Sequence, residues 1–397
     1  MARVLFAWEF GGDLGHARRL VPIARELRAL GHEPCFAFRE LALLASLAHE
    51  GFEWYAAPRL RPSTAINPSP LNASDILLNL GYGDANGLAG ALRAWLSFFA
   101  LVKPALVVAD YAPTALLAAR VAGIERITLG TGFSVPARGD PIPGLRAWHP
   151  IDAAVLEDID ARLLENVRAS LDRLSRSAAA PRAAWELFDA KAHLLCTFPE
   201  LDPFGPRDGV EYLGAQGDAH SGVEARWGDA SPRVFAYLKP RDPRFMAIVQ
   251  AMRALNGHAI VAAPGIDSNA APSISDEHVR VFMEPVRVDA LLADADLCVF
   301  HAGPGLAARA LAAGIPMALL PMHLEQFLVG KRLVELGVAR MIAPEEALAD
   351  PATWLGAIVA DDVLRSAVRN EAARYADYRF DEAAKRAARR IASELEA

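Results

Sequence analysis

The chain has 397 residues, enough for two or three domains. A hydrophobic share of 53% with 22% charged residues excludes a disordered chain, and a formal net charge of -7 argues against a nucleic-acid partner. Cys35, Cys196 and Cys298 lie far apart in apolar runs, which predicts buried reduced thiols rather than a disulfide framework or zinc cluster. Residues 4–8 are too short for a signal-peptide core, and no window offers about 18 uninterrupted apolar residues. The expectation is a cytoplasmic protein with no integral membrane contact.

A strand at residues 4–8 opens the chain. Residues 9–15 form a loop with glycines at 11, 12 and 15. A helix follows at 16–30, where Leu20, Ile23, Ala24, Leu27 and Leu30 keep one face by 3–4 spacing. Gly31 suits the left-handed position past its end. A strand at 35–38 completes a β-α-β unit. Segment 60–100 is apolar in patches, with Trp95, Phe98 and Phe99 read as core. A buried strand at 105–109 ends at Asp110, followed by a helix at 114–122 and a strand at 126–129. Residues 204–232 are rich in Gly, Pro, Asp and Arg and lack an apolar period, which marks a linker. The pattern then restarts. Strands are expected at 234–238, 259–263, 280–282, 297–300 and 317–320, and helices at 243–255, 288–293, 305–313 and 325–336. An Ala- and Arg-rich helix at 380–395 closes the chain. This alternation predicts parallel sheets with helices on both faces.

Two places carry candidate chemistry. His16 sits where a glycine loop becomes a helix, and histidine is the side chain suited to taking a proton near neutral pH. Asp13 is a competing base, ranked second because a carboxylate in such a loop is commonly a turn former or N-cap. Arg18 and Arg19 read as solvated. His301 ends a buried strand, and a helix starting near Gly305 would point unpaired N–H groups and its dipole at an anion. Gly303 and Gly305 carry no Cβ, so an anion could approach the backbone there. Glu325 and Gln326 open a later helix, where Glu is favoured by the dipole in any case.

In order and spacing, GGDLGHARRLVPIARELRALGHE, PALVVADYAP, PVRVDALLADADLCVFHAGPG, RALAAGIP, PMHLEQ and VGKRLVELGVA resemble the family 1 nucleotide-sugar glycosyltransferases, of UDP-glycosyltransferase-like or macrolide-glycosyltransferase-like type. The likeness spans nearly the whole chain. It implies an α/β protein of the GT-B fold, with two Rossmann-like doubly wound domains facing across a cleft. The acceptor-binding domain would cover 1–213, a linker 214–232, the donor-binding domain 233–378, and a C-terminal helix at 379–397 would pack back on the first domain. The implied reaction is inverting and metal-independent, needs no cofactor, and moves a sugar from a nucleotide diphosphate donor to a hydroxyl of a small-molecule acceptor. His16 would take the acceptor proton with Asp110 orienting it. His301, Gly303 and Gly305 would hold the diphosphate, and Glu325 and Gln326 the sugar hydroxyls.

The chain departs from the family pattern where a ribonucleotide is usually read. Leu306 stands where Ser or Thr is usual, and Arg309 where a ribose-binding Glu is common. The base-stacking Trp falls at Met283 and the following Gln at Val286. Loss of a diol-binding carboxylate favours a donor without a 2′-hydroxyl, so a TDP-sugar is expected slightly ahead of a UDP-sugar. The same departures motivate a degenerate, non-catalytic binding protein as the alternative. A nucleotide-sugar epimerase or hydrolase on the same fold is the second alternative. His323 has no motif support, and the oligomeric state is not legible in the sequence.

Overall fold

The strands are the most apolar runs of the chain, and the central ones are buried along their whole length, as parallel sheets covered on both faces require. The structure, a computed structural model, describes residues 1–12, 15–40, 48–64, 66–216, 222–343 and 349–396. The chain divides into two units, Met1–Cys196 with Arg207–Leu213 and Ala384–Ala397, and Thr197–Pro206 with Gly214–Ala383.

The first unit contains β1 (Arg3–Trp8), α1 (Gly15–Ala29), β2 (Glu33–Phe38), β3 (Glu53–Ala56), α2 (Ala73–Leu77), α3 (Ala85–Val102), β4 (Leu106–Ala109), α4 (Pro113–Ala122), β5 (Glu125–Gly130), α5 (Ala153–Asp172), β6 (His193–Leu195) and β7 (Glu211–Tyr212). Among the described residues its strands form one parallel sheet in the order β3-β2-β1-β4-β5-β6-β7. The second unit contains β8 (Arg233–Tyr237), α6 (Phe245–Ala254), β9 (His258–Ala262), α7 (Ala270–Ile274), β10 (Val279–Phe282), α8 (Val288–Leu292), β11 (Leu297–Phe300), α9 (Pro304–Ala313), β12 (Met317–Leu319), α10 (Leu324–Glu335), β13 (Ala339–Met341), α11 (Pro351–Val359) and α12 (Asp362–Ala372). Its strands are also parallel, in the order β10-β9-β8-β11-β12-β13. The last helix, α13 (Ala383–Glu396), buries Ala387, Ala388 and Ile391 against Val4, Phe6 and Leu20 of the first unit.

Chain direction across each sheet reverses at one point, between β1 and β4 in the first unit and between β8 and β11 in the second. Loops leaving the carboxyl ends of these strand pairs diverge, and the gap between them is where open α/β sheets hold ligands. The two units repeat this construction in detail. Asp110 and His301 each follow a buried strand, and Tyr111 (φ 51°) and Ala302 (φ 56°) each turn the chain left-handed. Pro113 and Pro304 then occupy the first helical turn, where a missing N–H is harmless. Gly123 and Gly314 end the two helices in left-handed conformation.

Three features differ from expectation. Residues Thr197–Pro206 belong to the second unit, because Phe198 and Leu201 pack with Leu291, Val329 and Leu333 in its core. The described part of the expected linker also joins that unit, through a parallel bridge between Val223 and Val286. Finally, α3 is long and apolar enough by length and composition to cross a membrane, although Arg93 interrupts its apolar run. Its Leu88, Leu92, Trp95 and Phe99 are buried in the first unit's core with residues of α4 and α5.

That core also encloses a carboxylate. Asp160 of α5 is buried and accepts hydrogen bonds from Asn72 Nδ2 (3.0 Å), Ser74 Oγ (2.6 Å) and the Ile142 N–H (2.8 Å). It ties α2 and the 142 loop to α5. Asp160→Ala should lower stability by about 2–4 kcal/mol, since it strands buried donors. Urea unfolding of the first unit measures this, and a loss under about 1 kcal/mol would assign the tie to packing instead.

Candidate active site

The first unit's candidate site is built where β1 and β4 end. His16 is the second residue of α1, and its ring stacks on Trp8 at the end of β1 (centroids 4.8 Å apart, 20° between planes). Its Nδ1 lies 3.0 Å from Asp110 Oδ2. A hydrogen bond from Phe10 N–H to the Tyr111 carbonyl (3.0 Å) joins the loops that carry the two residues. Gly11 closes over the ring with φ +84°, and a Cβ built there would come within 2.6 Å of His16 Nε2. Glycine at position 11 therefore meets both a backbone and a steric demand.

Asp110 has no solvent exposure. Burial opposes its ionisation, but Arg19 and His16 outweigh burial and hold its carboxyl below the usual carboxylate range. The role of Arg19 corrects the expectation that it is solvated. It is one turn beyond His16 on α1, and it donates to Asp110 Oδ2 from Nη2 (2.7 Å) and Nε (3.1 Å). Its Nη2 also stands 3.2 Å from His16 Nδ1. Asp110 Oδ1 is buried without a hydrogen-bond partner, so Oδ2 gathers every polar contact recorded for the carboxylate. Asp13 lies outside the described residues.

Glu9, the next residue after Trp8, was not anticipated as a site feature. It is buried and accepts from Trp95 Nε1 (2.5 Å) and the Thr114 N–H (2.9 Å). Burial pushes its carboxyl up to about 8 against those hydrogen bonds. It anchors α3 and the first turn of α4 to the end of β1. Nearby, Leu77, Tyr111, Phe133, Leu145 and Phe188 line a narrow, mainly apolar pocket.

In the second unit, His301 ends β11 and is buried. The Lys239 backbone N–H donates to its Nε2 (2.9 Å), so that nitrogen is unprotonated, and Nδ1 donates to the Leu320 carbonyl (2.7 Å). Burial holds the ring below its ordinary protonation range and keeps it neutral, although the Leu320 carbonyl and Asp242 pull the other way. The ring pins the ends of β8 and β12 to β11. Asp242 and Arg244 brace the same place. Arg244 pairs with Asp242 (2.8 Å) and donates to the carbonyls of Leu320 (3.1 Å) and Pro321 (2.9 Å).

Gly303 and Gly305 flank the start of α9. Neither has positive φ, and a Cβ at either would meet nothing within 4 Å. Neither the backbone nor the packing of this protein requires glycine there. Glu325 and Gln326 lie in the first turn of α10, both half-buried. Gln326 accepts from the Met322 N–H through Oε1 (2.9 Å), which directs its amide nitrogen elsewhere. His323 is exposed at the N-cap of α10.

The base and ribose positions divide. Met283 is 47% exposed just past β10, whereas Val286 is 3% exposed and packs in the core. Arg309 is not solvent-facing. It forms an ion pair with Asp289 and lies over the Phe380 ring (5.1 Å). A cavity of about 440 Å³ elsewhere in this unit is lined by Arg226, Trp227, Arg287 and Asp294 among others, and holds none of the expected site residues.

No protein-family model matches the chain. Two characterised proteins do. An oleandomycin glycosyltransferase of Streptomyces antibioticus is 48% identical over 61 residues, which is 15% of this chain and 14% of that protein. A zeaxanthin glucosyltransferase of Pseudescherichia vulneris is 24% identical over 358 residues, covering 84% of this chain and 86% of that one. Among solved structures, the glycotransferase of kitacinnamycin matches with a TM-score of 0.72 at 21% identity over 99% of both chains. A spinosyn rhamnosyltransferase complexed with thymidine diphosphate matches with a TM-score of 0.66 at 17% identity over the full length of both. The chain has the GT-B fold of these solved glycosyltransferases, and its sequence is similar to two glycosyltransferases. Gly11 is the residue whose replacement should displace the His16 ring. Gly11→Ala should cut the transfer rate by about 10²-fold, the usual cost of misplacing a reacting group. Calorimetry should find nucleotide affinity unchanged, and an unaltered rate would mean that the ring does not depend on this loop.

Proposed function

We propose that the chain transfers a sugar, with inversion, from a nucleotide diphosphate sugar to a hydroxyl of a small apolar acceptor. His16 acts as the base and Asp110 supports it. The observation that carries this reading is the 3.0 Å approach of His16 Nδ1 to a fully buried carboxylate, with a glycine and no side chain at position 11 beside Nε2. Donation of Nδ1–H to Asp110 leaves the lone pair on Nε2 to take a proton. In the transfer step, the acceptor oxygen forms a bond to the sugar C1 as the bond from C1 to the diphosphate oxygen breaks. The hydroxyl proton goes to His16 Nε2, and the electron pair of the broken bond leaves with the nucleotide diphosphate.

Stabilisation of that leaving group falls to the second unit. The first turn of α9 offers the N–H groups of Gly305 and Leu306, for which no intrahelical partner exists. Glycine at 303 and 305 has no role in the fold, and close approach of a diphosphate gives it one. His301 would then act chiefly by holding the strand ends in place, since both its ring nitrogens are already engaged. Fixed dipoles can carry the developing charge without a metal ion. Glu325 and the amide nitrogen of Gln326 are the groups we assign to the sugar hydroxyls.

A deoxyribose donor fits the altered positions. Arg309 is committed to Asp289, and Val286 is buried, so neither offers a carboxylate or amide to a ribose diol. A neighbour of the same fold was solved with thymidine diphosphate, which supports the same choice. The mainly apolar side chains around Tyr111 and Phe133 support an apolar acceptor. Three buried, unbridged cysteines suit a reducing cytoplasmic setting.

Two measurements test the reading. Calorimetric titration should find TDP binding at least as tightly as UDP, and a clear preference for UDP would remove the deoxyribose argument. His16→Ala should lower turnover by about 10²–10⁴-fold with donor affinity nearly intact. Unchanged turnover would remove His16 as the base, and a chain that binds no nucleotide would favour a non-catalytic role.

A further inference from the structure

We propose that Arg19 is a positioning residue that carries the counter-charge of Asp110, so that His16 rests as a neutral base instead of serving as the counter-ion itself. The inference rests on the reading of His16 as the base, and it concerns what sets that base's protonation.

A carboxylate removed from solvent is stable as an anion only beside a cation or a full set of donors. Asp110 has no exposure, and its Oδ1 is buried without a partner. Its charge must therefore be met at Oδ2. Two cation-capable groups reach that oxygen, Arg19 through Nη2 and Nε (2.7 and 3.1 Å) and His16 through Nδ1 (3.0 Å). Arginine stays charged at every relevant pH, so it meets the demand permanently. His16 is then free to donate one neutral N–H to the same oxygen.

Arg19 also opposes a second proton on the ring directly. Its Nη2 stands 3.2 Å from His16 Nδ1, so an imidazolium would form against a fixed cation. Among the described residues, the other groups recorded around the ring do not supply a competing charge of the opposite sign. Trp8 covers one face, and Gly11 lies beside Nε2. Arg39 reaches the Gly11 carbonyl (2.9 Å), which adds a further cation to the loop. Glu9 is turned to Trp95 and Thr114. Among the described residues, Asp110 is the one carboxylate recorded in contact with His16, and Arg19 shares it.

If Arg19 is removed, the buried carboxylate has only His16 to answer it. The ring should then take up and keep a proton to higher pH, where it cannot act as a base. In Arg19→Gln the acidic limb of the pH–rate profile should move up by about one pH unit or more, with activity recovering at alkaline pH. The His16 ring resonances, followed by NMR in the free protein, should titrate at correspondingly higher pH than in the wild type. Arg19→Lys restores a cation and should bring both readouts back towards the wild type. A folded Arg19→Gln variant whose His16 resonances titrate as in the wild type would overturn the proposal.

Should Arg19→Gln fail to fold, the double variant Arg19→Gln/Asp110→Asn removes the buried charge and its cation together. If Arg19 neutralises Asp110, His16 should titrate in the double variant close to the wild type. A clear fall would mean that Asp110 still acts on His16 despite Arg19, and would sink the idea. The NMR readout needs no donor or acceptor, so a wild-type protein without transferase activity would refute the proposed reaction and leave this test standing.

Discussion

A carboxylate buried without solvent contact must be answered by positive charge, and the first unit is arranged around that demand at Asp110. The strand before it is apolar throughout, which places the carboxyl group at the lip of the sheet with no water to solvate it. The left-handed turn at Tyr111 then bends the chain away, and its carbonyl binds the loop that follows β1. That loop brings Gly11 and the start of α1 over the strand end. One turn of α1 presents His16 and Arg19 on the same face, since residues three apart on a helix are neighbours. Position of the imidazole, orientation of Arg19 and the need for glycine at 11 all follow from one buried negative charge.

The second unit uses the same backbone plan with the opposite electrostatics. At the equivalent strand end stands a neutral imidazole, and both its nitrogens are spent on main-chain groups. The nearby Asp242 is cancelled by Arg244. Asp242 is thus met within the unit, and the N–H groups of Gly305 and Leu306 have no intrahelical partner. A strand end that holds its own anion suits a proton acceptor, whereas one with its charges cancelled suits an incoming anion. One supersecondary unit thus carries two different electrostatic settings through a single exchange, Asp for His, at the residue that follows the strand.

Much of this plan was legible in the sequence, because burial on both faces writes strands as continuous apolar runs. The strand at Leu297–Phe300 and the residues that follow the strands, Asp110 and His301, stand out for that reason. The short strands β6, β7 and β13 have two or three residues each and carry too little pattern to separate from loops. Arg19 was misread as solvated because its partner lies 91 residues away in sequence, and on a helix diagram it sits beside the exposed Arg18. Val286 was assigned to a nucleotide by register alone. Its burial depends on a bridge to Val223, in a segment whose composition reads as linker. Helix-scale periodicity and strand-scale apolarity are local properties, whereas pairing of charges across the sheet is not.

The same distinction explains why the two glycine pairs differ in what they reveal. Gly11 is fixed by the fold, through its positive φ and the approach of His16 Nε2, so its presence says nothing about a ligand. Gly303 and Gly305 have ordinary backbone angles and open space around them. Glycine in a helix's first turn gives up stability relative to alanine through lost chain entropy, by roughly 0.5–1 kcal/mol where the position is fully helical. Gly305 carries that cost, whereas Gly303 is the extended N-cap, a position that glycine fills readily. At Gly305 the bare backbone leaves room for a group from outside the folded chain, which is the approach that the proposed diphosphate would make.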